Sequence, residues 1–426
     1  GLLFGPREMR LYPNGMLAAH VLGGTSFGAE GVSSAEVIGT AGIEKAMDQR
    51  LRDPAMGDKP LELSIDLTVQ ATIEELLDAG MKMMNAKGAA AVLMDVRTGE
   101  IISLASLPAF DPNNRPNPVL PKGAEPGDSP LFNRAVQGVY ELGSTFKIFP
   151  VAQAIDDGLV NGNTMINASS PMKIGKYLIH DFHNYGRDLS VKDVIGKSSN
   201  VATVRIAQNG GLEDGSAGFC EPTPIEMTEA PTGKPIVPRR WPAVTAATVS
   251  FGHGLAASPL HLAAAYATIA NDGRRVRPTL VHRKEPVQGE QVLSPRAAAA
   301  ARDLLRYVVT KGTARQAEVP GYRVGGKTGT ADKPRPGGGY YKNRNVSTFA
   351  AIYPADRPVY VLVVTLDEPK VSVAGGGELR TAGATAAPVA AALVERLSPM
   401  LGLRPDDVKL PVIEPRPADA VRISAR

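Results

Sequence analysis

The stretch Gly325-Gly-Lys-Thr-Gly-Thr330 constrains this chain more than any other, because its surroundings suit only one of the two structures its letters suggest. From Gly321 the row spells Gly-x-x-x-x-Gly-Lys-Thr, the pattern of a phosphate-binding loop. Val363-Val-Thr-Leu-Asp367-Glu368 resembles the acidic strand that accompanies such a loop. That loop needs a strand before the glycines and a helix directly after the Lys-Thr, so that helix N–H groups face the phosphates. Here Tyr322 to Val324 would fall inside the loop, and Gly329 is followed by Pro334, Pro336 and three glycines, where no helix forms. The residues predict instead an edge strand through Lys327 to Thr330, its side chains and one N–H facing a cleft. An ATPase is the weaker reading.

The rest of the pattern agrees with a sheet. Residues 89–95 and 101–106 are strand-like runs joined by Arg97-Thr-Gly-Glu100, a hairpin signal. Further strands are predicted at 322–328, 348–352 and 359–366, and a strand-like alternation occupies 61–67. Helical spacing occupies 68–85, 144–157, 190–197, 200–208, 258–271 and 295–310, with a closing helix at 389–401. The Pro-rich stretch 108–130 reads as a loop. Helices grouped between turn-linked strands argue for an α/β chain of the α+β type, a largely antiparallel sheet flanked by helices, and not a doubly wound one. Three parts are expected: a Gly-rich module over 1–60, a main domain over 61–403 and a loosely held Pro-rich tail over 404–426.

Composition excludes several function classes. With 43% hydrophobic and 21% charged residues over 426 positions, the chain can bury a large core. A net charge of +4 is too small and too dispersed to argue for nucleic acid. The single Cys220 excludes an intramolecular disulfide, a thiolate zinc cluster and a Cys-x-x-Cys redox pair. No run of 18 apolar residues and no signal peptide is present, and the opening at Gly1 reads as a fragment of a longer, once-anchored protein.

Two further motifs carry chemistry. In Gly143-Ser144-Thr145-Phe146-Lys147 a spacing of three puts a hydroxyl and an amine on one helical face. For Lys147 to act as base its pKa must fall from about 10.4 to near 7, about 4 kcal/mol of differential stabilisation, which burial and a second cation supply. Free N–H groups at the helix start offer half of an oxyanion hole. Alone, Ser144 also reads as an N-cap. In Lys197-Ser198-Ser199-Asn200, Ser198 is a candidate proton relay and the Asn200 amide a candidate grip on a peptide-like substrate; a turn capping the next helix is the alternative. His180 and His183, with Asp181 between them, lack further metal ligands and read as turn or surface residues. Trp241 reads as a packed loop anchor.

The ordered set Ser-x-x-Lys, Ser-x-Asn, Lys-Thr-Gly-Thr, with Ser198 at 54 and Lys327 at 183 positions after Ser144, resembles the penicillin-recognising serine acyltransferases. Several other stretches resemble class B penicillin-binding proteins, the D,D-transpeptidases of peptidoglycan, and within them the septal branch. They are Asp95-Val-Arg-Thr-Gly-Glu100, Ser106-Leu-Pro-Ala-Phe-Asp-Pro112, Asn133-Arg134, Tyr140-Glu-Leu-Gly-Ser144, Ser250-Phe-Gly-His-Gly-Leu255 and Gly339-Tyr-Tyr341. Tyr12 to Asp48 resembles the end of that family's N-terminal pedestal. The resemblance implies Ser144 as acylated nucleophile, Lys147 as its base, Ser198 as relay and Asn200 as holder of the donor peptide. It implies Lys327 as a second cation, Thr328, Gly329, Thr330 and Tyr341 as substrate-binding residues, and the N–H groups of Ser144 and Thr330 as the oxyanion hole. It also implies stem-peptide substrates ending in D-Ala-D-Ala, an amine acceptor, β-lactam inhibitors, membrane-bound division partners and a location on the periplasmic face of the inner membrane. No metal or organic cofactor is implied. A hydrolase of the same fold (carboxypeptidase or β-lactamase) and a non-catalytic β-lactam sensor or scaffold are the alternatives. Leu142 stands where many relatives have Pro, Pro150 is expected to bend the nucleophile helix, and 209–218 is Gly-rich where relatives carry more helix.

Overall fold

The computed structural model describes residues 9–27, 37–57, 59–210, 222–230 and 235–406, apart from the single positions 284, 287, 336 and 374. Near the N-terminus, β1 (Gly24–Phe27) and β2 (Val37–Ala41) pair antiparallel. This small module is tied to the main body by Asn113 Oδ1, which accepts from the Tyr12 N–H at 2.9 Å, and by Glu74, which accepts from the Ala18 N–H at 2.9 Å.

The expected strand at 61–67 does not form: Leu63 makes one isolated bridge to Val281, and Asp66 caps the next helix by accepting from the N–H groups of Thr68 and Val69. An alternating pattern without a partner strand has no ladder to join. Helix α1 (Leu67–Met83) buries Val69, Ile73 and Leu77, the spacing that lays one apolar stripe on a sheet. Then come β3 (Gly88–Asp95), β4 (Ile101–Leu107) and the short β5 (Tyr140–Glu141).

A tight 3-10 turn over Gly143–Thr145 leads into α2 (Ile148–Asp156). Pro150 therefore falls in the first turn of the α-helix, where a missing N–H costs nothing, and the expected bend is not needed. Helices α3 (Val191–Lys197) and α4 (Asn200–Gly210) follow, separated by Ser198 and Ser199. Asn209 and Gly210 thus end α4, while 211–218 of the Gly-rich segment lies outside the described residues.

Helix α5 (Ala243–Ser250), unforeseen in the sequence, precedes β6 (Ala256–Ala257), which pairs with β5. The chain continues through α6 (Pro259–Ala270), α7 (Pro295–Lys311), β7 (Gly325–Pro334), β8 (Tyr340–Tyr353), β9 (Tyr360–Asp367) and α8 (Ala386–Met400).

The main sheet has the order β7-β8-β9-β3-β4 with every neighbour antiparallel, as the sequence predicts. Its central strands β3 and β9 are buried along almost their whole length, so both faces are covered. Helices α1 and α8 cover one face, α6 the other. The α1–α8 contact is close because α1 carries Gly80 there: an added Cβ would lie 2.8 Å from Val389. The segment Gly325–Pro334 is one extended strand at the sheet edge with no helix after Lys327-Thr328, which removes the phosphate-loop reading. After α8 the tail is tied down as far as Asp406, whose N–H donates to Gly321 O at 2.7 Å; positions 407–426 lie outside the described residues. Among the described residues no helix is long and apolar enough to cross a membrane.

Candidate active site

Three segments far apart in sequence meet beside β7. The turn over Gly143–Thr145 presses against that strand: a Cβ on Gly143 would lie 3.0 Å from Thr330 O, and one on Gly329 would lie 2.5 Å from Leu142 O. Gly143 also has φ of +52°, so glycine suits both its conformation and the approach. This packing brings the backbones of Ser144 and Thr330 side by side. Gly329 was expected to bind substrate; the structure makes it a contact position, since its missing side chain is what lets the nucleophile turn reach the strand. Gly329→Val is expected to cost about 1–3 kcal/mol in a urea melt and to slow acylation at Ser144 about 100-fold through displacement of the turn.

Lys147 is fully buried. Its Nζ donates to Ser198 O at 2.6 Å and to Ser198 Oγ at 3.1 Å. Lys327, also fully buried, donates to the same Ser198 Oγ at 3.0 Å and to Thr328 O at 3.0 Å. One hydroxyl thus bridges two amines. Burial, and then the neighbouring Lys327, hold Lys147 well below its ordinary value, with Asp181 partly opposing. Burial alone brings Lys327 down to about 7. A neutral amine three residues from Ser144 is the proton acceptor a serine nucleophile needs.

Ser198 caps the end of α3 in a left-handed conformation, φ 60° and ψ 43°, which an ordinary side chain adopts at a cost of about 1–2 kcal/mol. That conformation turns both its carbonyl and its hydroxyl toward Lys147. The start of α4 is held by Asp181, which accepts from Ser199 Oγ at 2.6 Å, from the Val201 N–H at 3.0 Å and from the Asn200 N–H. Sequence reading weighed Asp181 only as a metal ligand; it is the residue that fixes the Ser198–Asn200 corner. Asp181→Ala is expected to lower stability by about 1–2 kcal/mol and to slow acylation by about 10-fold or more, read from a denaturant melt and from a labelling time course.

A cleft of about 740 Å³ opens over this constellation, lined by Ser144, Ser198, Asn200, Thr328 and Thr330 among others. Asn200 Nδ2 donates to His180 O at 2.9 Å, Thr328 Oγ1 shares a hydrogen bond with Thr313 Oγ1 at 2.9 Å, and Thr330 Oγ1 accepts from the Ala382 N–H at 2.9 Å. Lys197, Lys311 and Arg315 stand in its walls, and among the described residues no carboxylate does, so it favours an anionic ligand. His183 lies on its exposed rim. Tyr341 is not brought into the cleft: its ring lies under the Arg344 guanidinium, 4.5 Å from ring centre to carbon, and it lines neither of the two cavities at Ser144. Tyr340 is the tyrosine beside Ser144, in a smaller cavity on the other flank of the nucleophile.

A neutral buried amine, a relay hydroxyl and a serine at the mouth of a cationic cleft define a serine acyltransferase site of the penicillin-recognising kind. The chain belongs to the penicillin-binding protein transpeptidase family: the profile of the penicillin binding protein transpeptidase domain matches residues 89–395, and that of the penicillin-binding protein dimerisation domain matches residues 1–58. It is 37% identical over 421 residues to a probable peptidoglycan D,D-transpeptidase FtsI of Caulobacter vibrioides, covering 95% of this chain and 68% of that protein. It is 31% identical to the peptidoglycan D,D-transpeptidase FtsI of Escherichia coli, covering 95% of this chain and 70% of that one. Its fold is similar to the crystal structure of penicillin binding protein 3 from Mycobacterium tuberculosis complexed with ampicillin, with a TM-score of 0.78 at 28% identity, covering 95% of this chain and 92% of that chain.

Proposed function

We propose that this chain is the catalytic part of a septal peptidoglycan D,D-transpeptidase that works through an acyl-enzyme on Ser144 and is inhibited by β-lactams. The observation that carries this reading is the sharing of Ser198 Oγ by two fully buried lysines beside the nucleophile turn. In this reading neutral Lys147 takes the Ser144 hydroxyl proton as Oγ attacks the penultimate D-Ala carbonyl of a donor stem peptide. Ser198 passes the proton to the departing D-Ala amine. The N–H groups of Ser144 and Thr330 stabilise the oxyanion, each worth about 3 kcal/mol in the transition state. Lys327, Thr328 and Thr330 receive the terminal carboxylate of the donor, to which the cations of the cleft wall also draw it, and Asn200 holds the peptide. The family relationship and the names of the relatives support the same activity.

A domain division near residue 60 follows in this reading, with the 1–60 module serving as the pedestal's inner end. The catalytic part faces the periplasm, and the parent protein reaches membrane-bound division proteins through its N-terminal parts. Incubation with a labelled penicillin, with the adduct located by mass spectrometry and its lifetime followed, tests the reading. A long-lived adduct on Ser144 is expected. Release within seconds would favour a β-lactamase, and an adduct elsewhere would overturn the site.

A further inference from the structure

The second cavity on Ser144, about 250 Å³, shares only Ser144, Asn200 and Thr330 with the donor cleft, and its charge is reversed. It is lined by the carboxylates Glu141 and Asp332 and the His253 imidazole, and among the described residues by no lysine or arginine. The chemistry that such a pocket attracts is a cation, the form in which an amine exists in water at neutral pH. An ammonium is not a nucleophile, so a pocket that delivers an amine to an acyl-enzyme must also remove a proton.

The cavity carries a group built for that. Glu141 is largely buried and held from three sides. Its Oε1 accepts from Tyr340 OH at 2.7 Å and from the Gly254 N–H at 3.0 Å, while Oε2 lies 3.2 Å from His253 Nδ1. With the Nδ1 proton directed at Glu141, the lone pair of the neutral ring sits on Nε2. The ring is fixed by Phe251, stacked at 6.3 Å, and by Tyr340 at 5.0 Å. The loop that carries it is locked to the nucleophile turn. Gly143 N donates to Gly252 O at 3.1 Å, and a Cβ on Gly252 would fall 1.9 Å from Gly143 O. His253 is thus one residue from a backbone contact with the neighbour of Ser144.

We propose that this second cavity receives the primary amine of the acceptor stem peptide, and that the His253–Glu141 pair removes its proton as it attacks the acyl-enzyme. The proposal rests on the transpeptidase reading above. The step balances with one proton released: His253 Nε2 takes the first proton from the bound ammonium and passes it to solvent, the free amine nitrogen then forms its bond to the acyl carbon and gives a second proton to His253 Nε2, the C–Oγ bond breaks, and His253 returns that second proton to Ser144 Oγ. The product is a stem-to-stem amide and the free enzyme, with Lys147 left neutral for the next donor. The groups facing His253 are Glu141 on β5, Asp332 on β7 and Tyr340 on β8. The Glu141 hydrogen bond raises His253 above its ordinary 6.5, so amine transfer gains on hydrolysis as pH rises through that higher value.

The test uses the chain with a thioester acyl donor and a labelled D-amino acid as acceptor, reading the ratio of amine transfer to Ser144 acylation. His253→Gln is expected to lower that ratio about 100-fold and to erase the rising pH limb; Glu141→Gln is expected to move the limb to lower pH. A ratio within about threefold of the parent in His253→Gln, or a limb that stays in place in both variants, overturns the proposal. Failure of the parent chain to form any Ser144 acyl-enzyme from the thioester is a separate result, which overturns the transpeptidase reading itself.

Discussion

Replacing Ser144 with alanine removes covalent penicillin labelling altogether, and replacing Lys147 with methionine leaves labelling on Ser144 but slows it about 1000-fold. The two outcomes differ because the groups do different things. Without Oγ there is no bond to form. Without the amine, Oγ remains at the mouth of the cleft, but its proton has no acceptor, since the Lys147 Nζ that bonds to Ser198 is gone. Lys327 remains buried in this variant, and its pKa stays lowered by that burial. It sits on β7 and not on the segment that carries Ser144, so it does not replace Lys147 as the acceptor. Stopped-flow labelling with a fluorescent penicillin, read alongside a melting curve for each variant, checks this. A Lys147→Met rate within about tenfold of the parent would remove Lys147 from the role of base.

Much of this site was legible because its chemistry is local. The Ser144–Lys147 spacing and the strand character of Lys327–Thr330 are properties of short segments; the structure puts Lys327–Thr330 on a strand as the pattern predicts, while Ser144 lies in a 3-10 turn ahead of an α-helix that starts only at Ile148. What was not legible depends on registers and distant partners. Tyr341 was named as substrate-binding and Tyr340 was not, but side chains alternate along a strand, and a register irregularity between Asp332 and Pro334 opposite β8 makes the facing side unpredictable from the letters. Asp181 acts on Ser199, Asn200 and Val201 from 18 to 20 positions upstream, too far for a capping signal. The alternation at 61–67 was real, but a strand is made by its partner, and Leu63 finds only a single bridge. Helix α5 carries Ala and Val along much of its length with no clear stripe, so periodicity had nothing to report. Glu141 and His253 belong to quoted motifs, yet only the fold shows that they meet.

The two lysines also set the stability of the protein against its function. In the unfolded chain Lys327 keeps its proton up to about pH 10.4, whereas in the folded protein burial lowers it to about 7. Between those values the unfolded state binds the extra proton, so the stability of the fold rises with pH across this window and is lowest at and below pH 7. The full difference is about 5 kcal/mol for a shift of this size. Lys327→Met removes the titration. It is therefore expected to be more stable than the parent at pH 7.5 while losing acylation, because an apolar side chain of similar length replaces a buried amine that water would rather hold. The advantage shrinks by about 2 kcal/mol between pH 7.5 and 9.0, since Lys327 contributes about 1.4 kcal/mol per pH unit to the parent there and the variant lacks that contribution. Urea unfolding of both proteins at the two pH values measures this directly. Parallel pH dependence would mean that Lys327 keeps its proton in the folded state across this window, and would overturn the expected stabilisation while leaving Lys327 as a fixed cation beside Lys147.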